Sequence, residues 1–203
     1  MYDGQMMPPI MGGSPGTVDK QVGASGDDGH RSNDDFYTAF VSMTVGYWTV
    51  GYTYELFARW TGVTIEGTID ISYIEVYAGA PTGTPERLIY GVDEDNPAAP
   101  TSKAEFDADA LTTASVPWDG GWTNGAWNQS DSLNTIFQEL VNSYTISNDA
   151  VMVQIKNDQT SIDGYQNCRT YDYSGNAHGA KLHIEYTVGN GGIPIFRRRI
   201  EGY

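Results

Sequence analysis

The chain holds one cysteine, Cys168, among its 203 residues, so neither an internal disulfide framework nor a multi-cysteine metal site can be built from it. Cys168 reads as a small buried side chain. No apolar run approaches the roughly 20 residues that carry a helix across a bilayer, and the opening residues lack the basic-then-apolar pattern of a secretory signal, so neither a membrane span nor a recognisable signal peptide is expected. Positive charge is scarce: 11 Lys and Arg face 26 Asp and Glu, a formal net charge of -15. An acidic surface repels phosphate backbones, which disfavours nucleic acid as a partner. It suits cations, the solubility of a dense assembly, or a basic receiving surface. Charged residues make up only 18%, leaving much of the polar surface to Asn, Gln, Ser, Thr and backbone. What is abundant is aromatic: 14 Tyr and 5 Trp stand beside 24 Gly, a mixture that favours sheets and turns over a helical bundle.

The segment Thr68 to Ala78 carries the strongest strand signal. Ile69, Ile71, Tyr73, Glu75 and Tyr77 alternate with Asp70, Ser72, Ile74, Val76 and Ala78, and the polar residues cluster at one end of each face, which places the strand between sheets or against a neighbour. Further strands are expected at about Phe36 to Val45, Tyr54 to Trp60, Arg87 to Val92 and Val151 to Ile155, with a weaker edge across Phe106 to Val116, a short extended RTYDY segment after Cys168, and a final strand at Lys181 to Val188. One helix is legible in SDSLNTIFQELVNSY, where Leu133, Ile136, Phe137, Leu140 and Val141 form a single apolar stripe and Ser130 or Ser132 can cap the start. The stripe suits a helix covering a sheet end. The expected division is an N-terminal extended arm over residues 1–25, a β-sandwich domain over residues 26–188, and a C-terminal docking tail over residues 189–203.

The order ELFARWTGVTIEGTIDISYIEVYA, RLIYGVDEDNPAAP, LTTASVPW, a helix with IFQELVNSY, DAVMVQIKND and finally AKLHIEYTV resembles the DNRLRE-like jelly-roll β-sandwich modules found in surface, polysaccharide-associated and phage-like structural proteins. The likeness spans about Gly26 to Val188 and is carried chiefly by Gly62 to Ala78 and Lys181 to Val188. The literal DNRLRE string is missing, and Ile65-Glu66-Gly67 stands where a proline-glycine turn is usual. The resemblance implies an all-β, jelly-roll β-sandwich with one short covering helix and extended N- and C-terminal arms, serving adhesion, carbohydrate binding or assembly. It implies no catalytic residue.

Three acidic loops could hold oxygen-liganded calcium in a structural role, with Asp27, Asp28, Asp93 and Asp95 as the leading ligands; solvated turns are the alternative, and no EF-hand spacing is present. The loop PWDGGWTNGAWNQS offers Trp122 and Trp127 to stack on sugar rings and Asn124 and Asn128 to bond hydroxyls, the alternative being core packing, which is the expectation for Trp118. His183 is placed on the wet side of the last strand, and His30 and His178 in polar loops. Neither Asp93 with Asp95 as a glycosidase pair nor Ser130 or Ser132 as a nucleophile has its required partners. The leading functional expectation is a non-catalytic structural or decoration protein of a virus-like particle or external assembly, located on that surface. Its partners would be copies of itself and other assembly or capsid proteins. Attachment falls to Met6, Met7 and Ile10 at one end and Ile193, Ile195, Phe196, Arg197, Arg198 and Arg199 at the other. The alternative is a carbohydrate-binding or adhesion module that reaches surface glycans through its Trp-rich loop.

Overall fold

The computed structural model describes residues 13–49, 52–158 and 164–189. Along the chain run β1 (Ser14–Gln21), β2 (Asp28–Arg31), β3 (Phe36–Tyr37), β4 (Ser42–Thr49), β5 (Tyr52–Ile65), β6 (Thr68–Tyr77), β7 (Thr82–Gly83), β8 (Arg87–Val92), α1 (Lys103–Ala108), β9 (Leu111–Pro117), β10 (Trp127–Gln129), α2 (Asn134–Ser143), β11 (Ile146–Asn157), β12 (Gly164–Arg169) and β13 (Lys181–Val188). Four antiparallel pairs form the frame: β1 with β13, β5 with β11, β6 with β10, and β8 with β9. They are nested like a long hairpin, first strand with last and innermost with innermost. Rolling that ribbon gives one sheet in the order β1-β13-β6-β10 and another containing β5-β11-β8-β9, which is the jelly-roll arrangement of two facing antiparallel sheets. Beyond β5 the second sheet continues through β4, β12 and β7, while β2 and β3 join along the same edge.

The interior between the sheets is filled from both sides by Val18, Ile74, Val76, Leu182 and Ile184 facing Leu56, Trp60, Val63, Ile89, Val151, Val153 and Ile155. α2 closes one end with Ile136, Phe137 and Leu140, and its Glu139 carboxylate accepts from the backbone N–H groups of Thr113 and Ala114, satisfying donors on the edge strand β9. The expected stripe is therefore the covering face. Of the two serines expected at the start of α2, Ser132 accepts from the Asn134 N–H at 3.4 Å although Leu133 occupies the cap position, whereas the Ser130 hydroxyl accepts from the Ile74 N–H of β6.

Three further expectations are revised. The sheet begins at Ser14, well before the expected boundary at residue 26, because β1 pairs along its whole length with β13. A second helix, α1, takes part of the weak segment from Phe106; Ser102 accepts from the Glu105 N–H while Glu105 accepts from Thr101, a reciprocal cap that starts the helix. Its Phe106 packs with Phe57 and Met152 on the outer face of the larger sheet, so β11 is buried on both faces. RTYDY is not a strand beyond Arg169; Tyr171 to His178 form turns. Met6, Met7, Ile10, Ile193, Ile195, Phe196 and Arg197 to Arg199 lie outside the described residues.

A β-bulge explains the pattern of β6. Ile71 pairs with Glu185 and Ile69 with Tyr186, which leaves Asp70 as an extra residue and shifts the inward side. Ile69, Ser72, Ile74 and Val76 are buried, and Ile71 is exposed.

Candidate functional site

Two of the three tryptophans of the Trp-rich loop, Trp118 and Trp122, are core rather than surface. Arg87, fully buried at the start of β8, has its guanidinium 4.6 Å from the Trp122 ring centre and 5.6 Å from that of Trp118. Its Nε donates to the Trp118 carbonyl and its Nη2 to that of Gly120, both at 2.7 Å. Burial lowers its pKa to about 10, so it stays cationic at neutral pH. Two indoles and two carbonyls thus stand in for the water this cation lost. Trp122 is consequently buried and presents no face to a sugar, a correction to the sequence expectation. Trp127 is half-buried, with Lys181 Nζ 3.6 Å above its ring centre and Tyr77 edge-on at 5.5 Å. Asn128 folds the loop back on itself, accepting from the Thr123 N–H and donating to the carbonyls of Thr123 and Ala126, while Asn124 stays exposed.

The acidic loops are likewise engaged by protein groups. Arg59 bridges the two loops expected to share calcium: its Nη1 meets Asp27 Oδ1 at 2.6 Å and its Nε donates to the Pro97 carbonyl at 2.7 Å. The cation between them is arginine. Asp28 is buried in β2, accepts from the Tyr171 N–H, and is pushed by that burial to a pKa of about 7. Asp93 is half-buried and Asp95 exposed, and no cluster of three or more His, Cys, Asp or Glu able to hold a metal occurs among the described residues. Cys168 is buried in β12. His183 lies half-exposed between Asp19 and Glu185 and stacks on Tyr73.

What the structure assembles instead is a cleft of about 310 Å³ lined by His30, Tyr37, Phe40, Ser42, Thr44, Trp48, Tyr54 and Asn167. Five separate segments supply it: β2, β3 with the turn after it, β4, β5 and β12. Tyr47 pairs with Thr53 and Thr49 with Tyr52, so Trp48 is the unpaired residue of a second bulge, a feature that redirects a side chain out of the ladder. Trp48 is 54% exposed and is held by stacking on Tyr165 at 4.3 Å. Close approach of β12 requires glycine at position 46, which has φ +113 and sits where a Cβ would come within 2.7 Å of the Gly164 carbonyl. Phe40, 53% exposed, packs edge-on against Tyr37 at 5.0 Å, and its carbonyl accepts from the Thr170 hydroxyl.

His30 forms part of the cleft wall, between Tyr37 at 5.1 Å and Tyr54 at 5.5 Å. It is buried in a strand rather than lying in the expected polar loop, and desolvation pushes its pKa down to about 4, leaving a neutral imidazole. Its Nδ1 has no hydrogen-bond partner. Opposite, Thr44 donates to Asn167 Oδ1. Sequence reasoning passed over this site; the signal available was the aromatic run Tyr47, Trp48, Tyr52 and Tyr54.

No protein-family model and no curated protein sequence matches the chain. Among solved structures it is similar to the enzymatically active domain of bacteriophage CBA120 tailspike protein 4, at 10% identity over 86% of this chain and 19% of that one, with a TM-score of 0.28. It is also similar to a chain of infectious bursal disease virus, Gt strain, at 13% identity over 92% of this chain and 42% of that one, with a TM-score of 0.27. The chain therefore spans less than half the length of either. At TM-scores this low, the likeness decides neither fold nor activity, and the jelly-roll assignment rests on the strand order.

Proposed function

We propose that this chain is a non-catalytic structural or decoration protein of a virus-like particle or comparable external assembly, docked through the segments at its two ends. The observation that carries the reading is the pairing of first and last strands, with Ser14 opposite Val188. The attachment points of residues 1–12 and 190–203 thus lie side by side at one corner of the sandwich, and both segments can address one receiving surface. The first bears Met6, Met7 and Ile10; the second bears Ile193, Ile195 and Phe196 followed by Arg197, Arg198 and Arg199. Apolar contact, worth roughly 25 cal/mol per Å² buried, supplies most of the attachment, and the arginines steer and register it against carboxylates. A second copy of this acidic chain offers those carboxylates.

Jelly rolls serve as viral capsid and lectin domains among other roles, which agrees with this reading without assigning it, since function resides in sites rather than folds. Membership of the DNRLRE-like modules is part of the proposal, supported by α2 preceding the late strand and by β13 as the closing one. A non-catalytic role is supported by the engagement of two strongly displaced ionisable groups, Asp28 and Arg87, in structural hydrogen bonds. The test is sedimentation of the full chain against residues 13–189. Concentration-dependent self-association by the full chain, with a monomeric fragment that unfolds at the same temperature, supports the docking role. A full chain that stays monomeric, or a fragment that associates equally, contradicts it.

A further inference from the structure

The geometry points to the cleft between His30 and Trp48 as a binding site for a neutral carbohydrate, a pyranose ring stacked on the indole with its hydroxyls turned to the polar wall. This goes beyond the assembly role and lies away from the Trp-rich loop. The cleft has two chemically different sides. Trp48, Phe40, Tyr37 and Tyr54 present aromatic surface, with Trp48 and Phe40 each more than half exposed; Ser42, Thr44 and Asn167 present hydroxyl and amide groups. A pyranose is amphipathic in the same way, with an apolar C–H face and a rim of hydroxyls. The volume of about 310 Å³ falls at the small end of ligand clefts, enough for a terminal sugar residue rather than a long polymer chain.

Charge narrows the ligand. Among the described residues no lysine or arginine lines the cleft, and the neighbouring carboxylates of Asp35 and Asp34 accept from the Tyr37 and Tyr52 hydroxyls, so an anionic sugar, a phosphate or a sulfate meets repulsion. A quaternary ammonium is the competing occupant of an aromatic recess beside carboxylates. It has no hydrogen-bonding group to meet Ser42, Thr44 and Asn167. A sugar's hydroxyls can both donate to and accept from those three side chains, while the buried, neutral His30 ring adds no positive charge to the wall. Trp48 is also prepared in advance: the bulge fixes its backbone and Tyr165 its ring, so little side-chain freedom is lost on binding.

The full chain is tested on an array of neutral, sialylated and sulfated glycans, and the best neutral glycan and tetramethylammonium are then titrated while the Trp48 indole N–H resonance is followed. Expected are saturable binding to neutral glycans, a shift of that resonance, and affinity at least tenfold weaker in both Trp48→Ala and Phe40→Ala. Both substitutions remove exposed side chains, and unfolding temperatures confirm that the variants fold; Trp127→Ala binds as the unaltered chain does. Binding confined to tetramethylammonium, binding only to acidic glycans, no saturable binding to any neutral glycan, or neutral-glycan binding that survives Trp48→Ala overturns the assignment.

Discussion

Two tryptophan-bearing segments of this protein read alike in sequence and behave oppositely in the fold. Residues 118–127 bring three tryptophans within ten positions, and two of them close over the buried guanidinium of Arg87. Residues 47–54 bring one tryptophan and three tyrosines, and there the indole stands outward at a bulge beside an open cleft. Aromatic density thus reports packing capacity, not exposure. What separates the two segments is the partner: a buried cation needs the first set, whereas the second has aromatic rings, Tyr165 stacked and Tyr54 edge-on, against its tryptophan.

The contrast breaks most visibly in stability. Trp122→Ala should cost about 3–5 kcal/mol, since it empties a packed site and uncovers Arg87; denaturant unfolding measures this, and a loss below about 1 kcal/mol would return Trp122 to the surface.

Buried ionisable groups beyond the two segments are also treated in two ways. Arg87 remains ionised, whereas Asp28 and His30, both on β2, are held neutral by burial over part of the pH range. The raised Asp28 carboxyl, ordinarily at 3.8, contributes stability below that value and loses it as the pH rises through about 7. His30 acts the other way: its ordinary 6.5 falls to about 4, so stability is lost as the pH falls across that window. The trends oppose one another between about pH 4 and 6.5. Asp28→Asn should remove the first and leave stability rising with pH across that interval, by an amount on the order of 2 kcal/mol. Parallel pH profiles for the variant and the unaltered chain would show that Asp28 titrates normally.

Trp48→Ala should be the mildest, within about 0.5 kcal/mol in unfolding free energy, because it truncates an exposed side chain. A large loss would place Trp48 in the core and collapse the distinction.

Much of the frame was legible because it is local. β6, the apolar stripe of α2 and β13 each state their period within ten or so residues. β1 does not: SPGTVDKQ has one buried apolar side chain, Val18, and owes its strand to pairing with β13 at the far end of the chain. DGHR likewise reads as a polar turn and is a buried strand because β5 supplies its partners. α1 was available from its cap, in which Ser102 accepts from the Glu105 N–H and Glu105 from Thr101, a signal masked by the extended reading of Phe106 to Val116. The candidate cleft was not legible as a site. Its walls come from residues up to 137 positions apart, His30 to Asn167, and its indole is aimed by a bulge whose register is set by the opposing strand.

Hydroxyl-radical footprinting of the intact protein, read residue by residue in the mass spectrometer, tests the distinction most directly. Rapid labelling of Trp48 with protection of Trp60, Trp118 and Trp122 is the expected result. Labelling of Trp122 as fast as that of Trp48 would contradict it.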